Sequence, residues 1–514
     1  MASNDYRGAN KRIAKNTLYL YIRMFFVLIV NLYTSRVLLH ALGVSDYGTF
    51  VVVGGFVTLF GFFNATLAST IQRYFNYEGT ENNEDGVENI FSTGFRIHIL
   101  IALVTIIALE TIGLWYFHHF IKFPIGRTEA ATILFHASAL ILVFNILQIP
   151  AMGLILAKEK MGIYAFVNIM DVSLKLLATL SLVYLPFDSL STYALLLLAI
   201  AVIDFLFYTI YTKIKFPFLH FKAKTDTVLA KSMLSFTGWN LIGTFAFMLK
   251  GQGLSLLLNY FFGPVVNAAR GIALQVSSAV SGFSSNVSVA ISPQIVTNVA
   301  EGNHLRAEKL MFTESKICFA LILILTVPLC LEIDYILRLW LGCQIPVDTG
   351  IFSILALIDI LICTLNTPCT QITLATGRIR RYQITSTVIN LGLLPVSFLL
   401  LKEGFSATSA FIMTILFSCI NQIVCLINTH RVFRFKWTRY LIDVVLPSIA
   451  AGILLPLLPM LVRNMLPSTF FRLILTTAVD IVVAIPLFYY IIADKSEREI
   501  CRTFFFQKLR TLHG

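Results

Sequence analysis

The candidate functional residues of this sequence are charged residues inside long apolar segments. Arg23, Lys250 and Arg270 are basic residues in such segments, where each charge costs about 2.5 to 3.5 kcal/mol at the centre of a membrane helix. A guanidinium or ammonium group held there is suited to bind an anion, so these three residues are our candidates for a substrate-binding site. Ser277 and Ser281 follow Arg270 on one helical face and are assigned to the same site.

The serine residues after Arg270 form a stripe that has two interpretations. Small residues of this kind either let two helices pack closely or line a polar cavity. Close packing does not require Arg270 at the end of the stripe, and we therefore favour a cavity wall. Lys250 shares a face with Gly243 and Ala246, whose small size leaves room beside an ammonium group. Five serines lie within about 40° of one line on a helical wheel: Ser277, Ser281, Ser284, Ser288 and Ser292.

Acidic residues inside the apolar segments are candidates for coupling transport to an ion gradient. Glu110, Asp204 and Asp359 are such residues, and each is either a proton or sodium site or the partner of a neighbouring helix. Asp171 and Lys175 are one helical turn apart and are expected to pair with each other. We predict no cofactor, and a gradient of protons or sodium ions is the candidate energy source.

Fourteen apolar segments must position these residues. A hydrocarbon core of about 30 Å needs about 20 apolar residues in a helix, and 57% of the 514 residues are hydrophobic while 13% are charged. Backbone amides in lipid must be satisfied within their own segment, so the segments are helices. The predicted fold class is an all-α polytopic membrane protein with about 14 transmembrane helices. The predicted spans are 17–40, 47–70, 90–117, 130–156, 164–186, 191–213, 233–258, 265–292, 312–333, 348–376, 382–401, 406–430, 440–463 and 469–494.

The basic residues predict the orientation of the chain, because cytoplasmic loops carry an excess of Lys and Arg. Of the 39 Lys and Arg residues, 27 lie in loops on the side of the N-terminus. We therefore expect both termini to be cytoplasmic. The formal net charge of +12 reflects topology and anionic lipid headgroups, and no nucleic acid partner is predicted. The opposite loops hold six basic residues: Lys122, Arg127, Arg338, Lys402, Arg463 and Arg472.

Several classes of activity have no support in the sequence. A glycine-rich loop ending in Lys-Ser or Lys-Thr is absent, which excludes ATP hydrolysis by this chain, and the predicted loops are too short for a soluble catalytic domain. The eight cysteines lack the spacing of a zinc site. We predict no catalytic residue and no metal site. A membrane enzyme of glycan assembly, either a polymerase or a transferase, is the alternative from another class.

A weak internal repeat predicts the domain organisation. The pattern of Gln, three residues, Asn and then Glu-Gly occurs at Gln72–Gly79 and again at Gln294–Gly302. The two copies are six spans apart, so the two halves would have the same orientation in the membrane; chance similarity of polar helix ends is the other explanation. We predict an N-terminal lobe at 1–220, a C-terminal lobe at 221–435, and two additional spans with a tail at 436–514.

Four strings along the chain carry a family resemblance. They are similar to segments of the polysaccharide transport (Wzx-type) lipid-linked oligosaccharide flippases, which belong to the multidrug/oligosaccharidyl-lipid/polysaccharide (MOP) exporter superfamily. The resemblance extends over about the whole chain, and it is the order of the four strings on fourteen spans that makes it specific. The strings are Arg36–Gly48, Glu110–Trp115, Pro150–Met161 and Gly263–Ala273.

The resemblance implies a fold and a function. It implies two pseudo-symmetric six-helix lobes in a V around a central cavity, with two C-terminal helices added. It also implies alternating access that moves an undecaprenyl-diphosphate-linked oligosaccharide across the bacterial inner membrane for O-antigen, capsule or exopolysaccharide. The implied partners are this lipid-linked substrate, membrane lipids and the polysaccharide assembly machinery. Arg and Lys in the cavity would bind the diphosphate.

Two other members of the superfamily remain alternatives. Multidrug exporters of the MATE type typically carry an acidic residue in the first helix for a coupling cation. The segment Ile13–Leu42 contains no Asp or Glu, and it contains Arg23 and Arg36 instead. An anionic lipid is therefore the preferred cargo, with multidrug transport second and transport of a peptidoglycan precursor third.

Overall fold

A computed structural model describes most of the chain. It describes residues 2–61, 67–68, 70–72, 74–75, 84–158, 160–219, 226–342, 344–494 and 497–499. Within the helices, the side chains of residues 2–24, 235–243, 289–290, 293 and 300 lie outside this description. The first copy of the predicted repeat falls largely on residues that are not described, so the repeat stays a prediction.

The described residues form helices joined by short loops, and no β-strand occurs among them. Three helices continue into a π-helical turn. The helices are α1 Ala2–Leu59, α2 Glu84–Ala108 with the π-turn Leu109–Gly113, α3 Leu114–Phe120, α4 Thr128–Leu147, α5 Ile149–Ala157, α6 Met161–Ser181, α7 Ser189–Lys215, α8 Thr227–Phe262, α9 Pro264–Ala300, α10 His304–Leu331, α11 Ile333–Leu341, α12 Thr349–Ala375, α13 Arg380–Lys402, α14 Ala407–Phe433, α15 Trp437–Tyr440 with the π-turn Leu441–Val445, α16 Leu446–Leu454, α17 Leu457–Met465, and α18 Phe470–Leu487 with the π-turn Phe488–Ile492.

The chain is a multi-pass helical membrane protein, as predicted. Within the described residues, 11 helical segments are long and apolar enough to cross a membrane. The first of these, Phe25–Leu59, covers most of the first predicted span and part of the second. The helices α8 and α9 overlap the seventh and eighth predicted spans. Every predicted span overlaps a helix, which confirms the predicted fold class.

Gly43 divides α1 into two helices. Its φ of 75° and ψ of 167° lie in a region that only glycine enters at little cost. The sequence predicts the end of one span at residue 40 and the start of the next at residue 47. Gly43 therefore provides the predicted break between the first two spans without a longer loop.

Side-chain caps begin four of the helices. In each case an oxygen of the capping side chain accepts a hydrogen bond from the backbone N–H three residues later, which satisfies one of the free donors of the first turn. The caps are Asp188 at α7, Asp226 at α8, Asn303 at α10 and Thr469 at α18.

The helices group into two compact units, Met1–Gly271 with Trp340–Pro346, and Ile272–Leu339 with Val347–Gly514. The first unit has an aromatic core in which the ring centroids of Phe117 and Phe135 are 4.9 Å apart. In the second unit, Phe352 stacks on Phe411 at 4.3 Å. Neither observation tests the predicted boundaries at residues 220 and 435, which stay predictions.

Candidate functional site

Arg270 is a buried cation in the second turn of α9, with 4% of its surface exposed. Its Nε donates to Ser255 Oγ at 2.8 Å, and its Nη2 donates to the Gly251 carbonyl oxygen at 2.7 Å. Both acceptors belong to α8, so the guanidinium connects two helices of the first unit. The two bonds fix the position of the guanidinium between α8 and α9.

Lys250 directly precedes the glycine that Arg270 contacts. Its side chain is half-buried in α8. The structure thus brings the Arg270 guanidinium to the backbone next to Lys250, a contact that their separation in the sequence does not indicate. Arg23 lies in α1, but its side chain is outside the described residues. The binding role of all three residues stays a prediction.

The serine stripe of α9 divides into two parts. Ser277 is 9% exposed, and Ser281 Oγ donates to the carbonyl of Ser278 at 3.1 Å. Further along, Cys318 of α10 has its Sγ 3.7 Å from the Ser284 carbonyl and 4.0 Å from Ser288 Oγ. The far end of the stripe is therefore a packing surface against α10. The binding role of Ser277 and Ser281 stays a prediction.

Asp171, Lys175 and Asp204 form a charged cluster between α6 and α7. Lys175 Nζ is 2.7 Å from Asp171 Oδ1, which confirms the pairing expected from their spacing. Asp204 of α7 interacts with the Asp171 carboxylate, and its Oδ1 is buried with no hydrogen-bond donor among the described residues. Two carboxylates in contact repel unless a proton or cation lies between them. The cluster therefore joins two carboxylates and one ammonium group on two neighbouring helices.

Glu110 and Asp359 have different surroundings. Glu110 lies in the π-turn Leu109–Gly113, and its Oε1 is 2.9 Å from His136 Nδ1 on α4. π-Turns inside helices often mark functional positions, because they turn side chains out of the regular helical register. Asp359 is half-buried in α12, with Cys363 Sγ 4.0 Å from its Oδ2. A coupling role for Glu110, Asp204 and Asp359 stays a prediction.

Arg127 forms a cluster that the sequence does not indicate. It donates through Nε and Nη2 to the Asp46 carboxylate, and through Nη1 to Asp188 Oδ1 at 2.5 Å. These two hydrogen bonds to Asp46 are the first cause that raises the pKa of Arg127. Partial burial raises the pKa of the Asp188 carboxyl, but hydrogen bonds from Ser191 and Arg127 outweigh it and hold this pKa below its usual range. Asp46 lies within the first of the four family-like strings.

Two buried carboxylates of the second unit were also not identified from the sequence as candidate functional residues. Glu332 is 2% exposed and its Oε2 lies 2.6 Å from Arg472 Nη2 on α18. Glu314 is completely buried in α10, close to Ser288 and Gln371. In the sequence Glu332 and Arg472 are each a charge at the end of a span. Only the tertiary fold pairs them, so no signal in the sequence could have found the pair.

Together the described side chains provide fixed positive charge, paired carboxylates and buried polar groups inside membrane helices. Among the described residues, no group of three or more His, Cys, Asp or Glu side chains could hold a metal ion. The carboxylate cluster of α6 and α7 is suited to binding a proton or small cation.

The fold is that of transporters of the MOP superfamily. The structure is similar to the lipid II flippase MurJ in an inward closed conformation, with a TM-score of 0.70 and 14% identity over 92% of this chain and 98% of that chain. It is similar to an inward-facing MATE multidrug resistance transporter, with a TM-score of 0.64 and 14% identity over 82% of this chain and 98% of the other. A MOP superfamily transporter from Pyrococcus furiosus gives a TM-score of 0.59 and 15% identity over 82% and 97%. By sequence, no family model and no curated protein matches the chain.

Proposed function

We propose that this protein is a flippase that moves a lipid-linked oligosaccharide across the bacterial inner membrane by alternating access. The observation that carries the proposal is the similarity of fold over nearly the full length of a lipid II flippase. The other two structures named above are also transporters. A flippase needs no catalytic group, because it changes the side of the membrane on which its cargo lies and not the cargo's covalent structure.

The charges inside the membrane helices support an anionic cargo. Arg270 is a buried cation that donates to Ser255 and to the Gly251 carbonyl, and Lys250 directly precedes Gly251 in α8. Arg23 adds a third cation in α1, where the segment Ile13–Leu42 has no acidic residue. A diphosphate offers several charged oxygens that accept charge-assisted hydrogen bonds from such groups. Ser277 and Ser281 would provide further donors.

The finer identity of the cargo follows from the resemblance of the four strings. We infer an undecaprenyl-diphosphate-linked repeat unit of an O-antigen, capsule or exopolysaccharide. Enzymes that assemble and polymerise the polysaccharide are then the expected partners, and both termini of the flippase are expected in the cytoplasm.

Coupling to an ion gradient would supply the energy. Asp204 and Asp171 are two carboxylates in contact inside the membrane, with Lys175 beside them. Binding or release of one proton or sodium ion changes the charge of this cluster and so favours one packing of α6 and α7 over another. Glu110 and Asp359 are the other candidates for this role.

Purified protein in liposomes tests the proposed function. A fluorescently labelled lipid-linked oligosaccharide is placed in one leaflet, and its arrival in the other leaflet is followed with a membrane-impermeant quencher. We expect transfer with no change in the mass of the cargo. A changed mass would indicate the enzyme of glycan assembly, and no transfer compared with empty liposomes would refute the flippase.

Charge-removing and charge-keeping variants test the binding residues. We expect Lys250→Ala and Arg23→Ala to reduce transfer at least about tenfold, since a charge-assisted hydrogen bond contributes about 1.5 to 3 kcal/mol. Lys250→Arg and Arg23→Lys should retain part of it. Lys402→Ala, an exposed residue at the end of α13, is the matched control. Normal expression with full transfer by both alanine variants would show that the site is assigned wrongly.

Multidrug transport is the second candidate function, because MATE transporters share the fold. The carboxylate pair of Asp171 and Asp204 favours it, since acidic groups attract cationic drugs as well as coupling ions. The same liposomes distinguish the two functions. A multidrug transporter moves a cationic dye in response to a proton or sodium gradient and leaves the lipid-linked oligosaccharide in place.

A further inference from the structure

Ion pairs join α10 and α18 near both ends of α18. At one end Glu332, which directly follows α10, has its Oε2 2.6 Å from Arg472 Nη2 in the first turn of α18. At the other end Lys316 Nζ on α10 lies 3.1 Å from Glu497 Oε2 and 3.7 Å from Asp494 Oδ2, just beyond the π-turn that follows α18. The two helices therefore run antiparallel, and all these residues belong to the second unit.

Asp480 lies between these two ion pairs and is completely buried. Thr476 and Asp480 follow Arg472 at intervals of four residues, so they lie on one face of α18. Thr476 Oγ1 is 3.5 Å from Glu332 Oε1, which shows that this face meets the end of α10. At 1.5 Å per residue, Asp480 lies about 12 Å from Arg472 along the helix. This position is inside Phe470–Ile492, a segment that is long and apolar enough to cross a membrane.

The Asp480 carboxylate has no counter-charge in the described part of the chain. Both of its oxygens are buried, and neither has a hydrogen-bond partner among the described residues. The other charged residue of α18 is Arg472, and Glu332 neutralises it. Lys316, at the far end of the contact, already faces two carboxylates. The cations at both ends of the contact are thus balanced by other acidic groups.

The remaining groups around α18 do not supply a cation to Asp480. Arg463 is the charged residue of α17, and its carbonyl oxygen accepts from Arg472 Nη1 at 3.5 Å, so it lies at the Arg472 end of α18. The neighbouring helix α16 contains no titratable residue. The other titratable side chains of α10 and of the π-turn between the two ion pairs are thiols and phenols, which never carry a positive charge. They are Cys318, Cys330, Tyr489 and Tyr490.

An ionised carboxylate is strongly disfavoured in these surroundings, because burial removes its water and no donor replaces it. A protonated carboxyl is neutral and needs one acceptor for its O–H. Pro328 of α10 has no N–H, so the Ile324 carbonyl lacks its usual helical donor and is a suitable acceptor. Pro328 lies about 6 Å from Glu332 along α10. Asp480 lies about 6 Å from Thr476 along α18, and since Thr476 contacts Glu332, the proline and the carboxyl are at about the same level.

We propose that Asp480 is a proton-binding site between α10 and α18, and that its proton stays bound as long as the two helices are packed together. A metal cation needs several oxygen ligands, and within the described ranges no group of three or more His, Cys, Asp or Glu side chains could hold one. The site is separate from the cluster of Asp171 and Asp204, which belongs to the first unit. It does not depend on the proposed function.

The bound proton gives α18 a reason to stay on α10. If the helices separate, the carboxyl meets water and can release its proton. The ionised group must then be neutralised again before α18 can return, because an unpaired carboxylate is costly to bury. Proton binding at Asp480 therefore favours the packed arrangement of α10 and α18 over an open one.

Infrared spectroscopy of the full-length protein in lipid bilayers at neutral pH tests the site. A protonated carboxyl has a C=O stretching band that is separate from the bands of a carboxylate. We expect wild type to lose one such acid band in Asp480→Asn. Asp443→Asn is the matched control, because Asp443 is partly exposed and its Oδ2 lies 3.1 Å from Arg439 Nε. This control should lose carboxylate bands and no acid band.

The time course in heavy water tests the second part of the proposal. After transfer to D₂O, the Asp480 band should shift to the deuterated acid slowly, since its proton leaves only when α18 separates from α10. A shift as fast as the mixing of the two solvents would show that the carboxyl is open to water, and it would refute the link between the proton and the packing.

The remaining outcomes would overturn the proton site itself. An acid band that is the same in wild type and Asp480→Asn would show that Asp480 is ionised. An acid band that disappears when sodium chloride replaces choline chloride would show that sodium is the ligand. Thermal unfolding verifies that each variant is folded. If Asp480→Asn is not, Asp480→Glu keeps a carboxyl at the site and should move the acid band, and an unmoved band would refute the assignment.

Discussion

Among single residues, Arg127 offers a direct test of what stabilises the first unit. Its guanidinium bridges Asp46 and Asp188, two carboxylates from α1 and from the start of α7. We expect Arg127→Gln to lower the free energy of unfolding by about 1 to 2 kcal/mol, because it leaves two partly buried carboxylates facing each other without a cation. Thermal unfolding in detergent measures this loss. Arg338→Gln, an exposed arginine with no ion pair in the described part of the chain, is the control.

The same cluster has a defined dependence on pH. Partial burial raises the pKa of the Asp188 carboxyl. Hydrogen bonds from Ser191 and Arg127 lower it by more, so the pKa lies below its usual range. A lowered pKa in the fold means that the cluster stabilises the protein at neutral pH and loses this effect as the pH falls through the folded value. The difference between wild type and Arg127→Gln should therefore shrink below about pH 4. A difference that grows on acidification would refute the cluster's role.

Arg270 illustrates what single residues can and cannot reveal in a sequence. A charged residue inside an apolar segment can be recognised in the sequence, and it is therefore a predictable candidate for a functional role. Its acceptors on α8, Ser255 and the Gly251 carbonyl, depend on how two helices cross. Such contacts follow from tertiary packing, which a single sequence does not specify. The pairing of Asp171 with Lys175 was predictable, because both residues lie on one helix at a spacing of four.

At the scale of elements, glycine determines how closely the second half of α1 packs on the junction of α8 and α9. A methyl group at Gly48 would lie 1.9 Å from the Pro264 carbonyl oxygen, and one at Gly271 would lie 2.9 Å from Val51 Cγ2. Real carbon atoms never approach a backbone oxygen as closely as 1.9 Å. The helices can pack in this way only because these positions have no side chain.

A pair of glycine variants tests this contact. Gly48→Ala should lower the free energy of unfolding by about 1 to 3 kcal/mol, since it forces backbone atoms apart in a close-packed region. Gly54→Ala is the matched control on the same helix, because a methyl group there meets nothing within 4 Å. This second change should be neutral or stabilising by up to about 1 kcal/mol. Equal melting temperatures for the two variants would contradict the close crossing.

The elements were more predictable than their contacts. All fourteen predicted spans overlap helices, because lipid allows little else for a long apolar segment. A break between residues 40 and 47 was also predicted, and the structure places it at Gly43. The π-turns were not, among them the one that carries Glu110. A π-turn adds one residue to a helical turn and has no compositional signature.

At the scale of the whole molecule, the fold is retained at 14% identity to a lipid II flippase and to a MATE transporter. A similar arrangement of helices is thus formed although most of the residues differ. The identity of the cargo must then depend on a few polar positions. In our proposal these positions include Lys250 and Arg270. Fold similarity alone therefore leaves the cargo to experiment.

The distribution of basic residues predicts the orientation of the molecule in the membrane. Loops on the side of the N-terminus hold 27 of the 39 basic residues, so this side should face the cytoplasm. Two exposed positions report on the two sides: Ile125, between α3 and α4, and Leu305, at the start of α10. We place a single cysteine at each in a background without the eight native cysteines.

A membrane-impermeant maleimide added to cells with a permeabilised outer membrane should label Ile125→Cys and leave Leu305→Cys unlabelled until the inner membrane is opened. The physical reason is that moving basic loops across the membrane against the potential costs about 2.3 kcal/mol per charge for each 100 mV. Labelling of Leu305→Cys before the inner membrane is opened would show that the orientation is opposite to the predicted one.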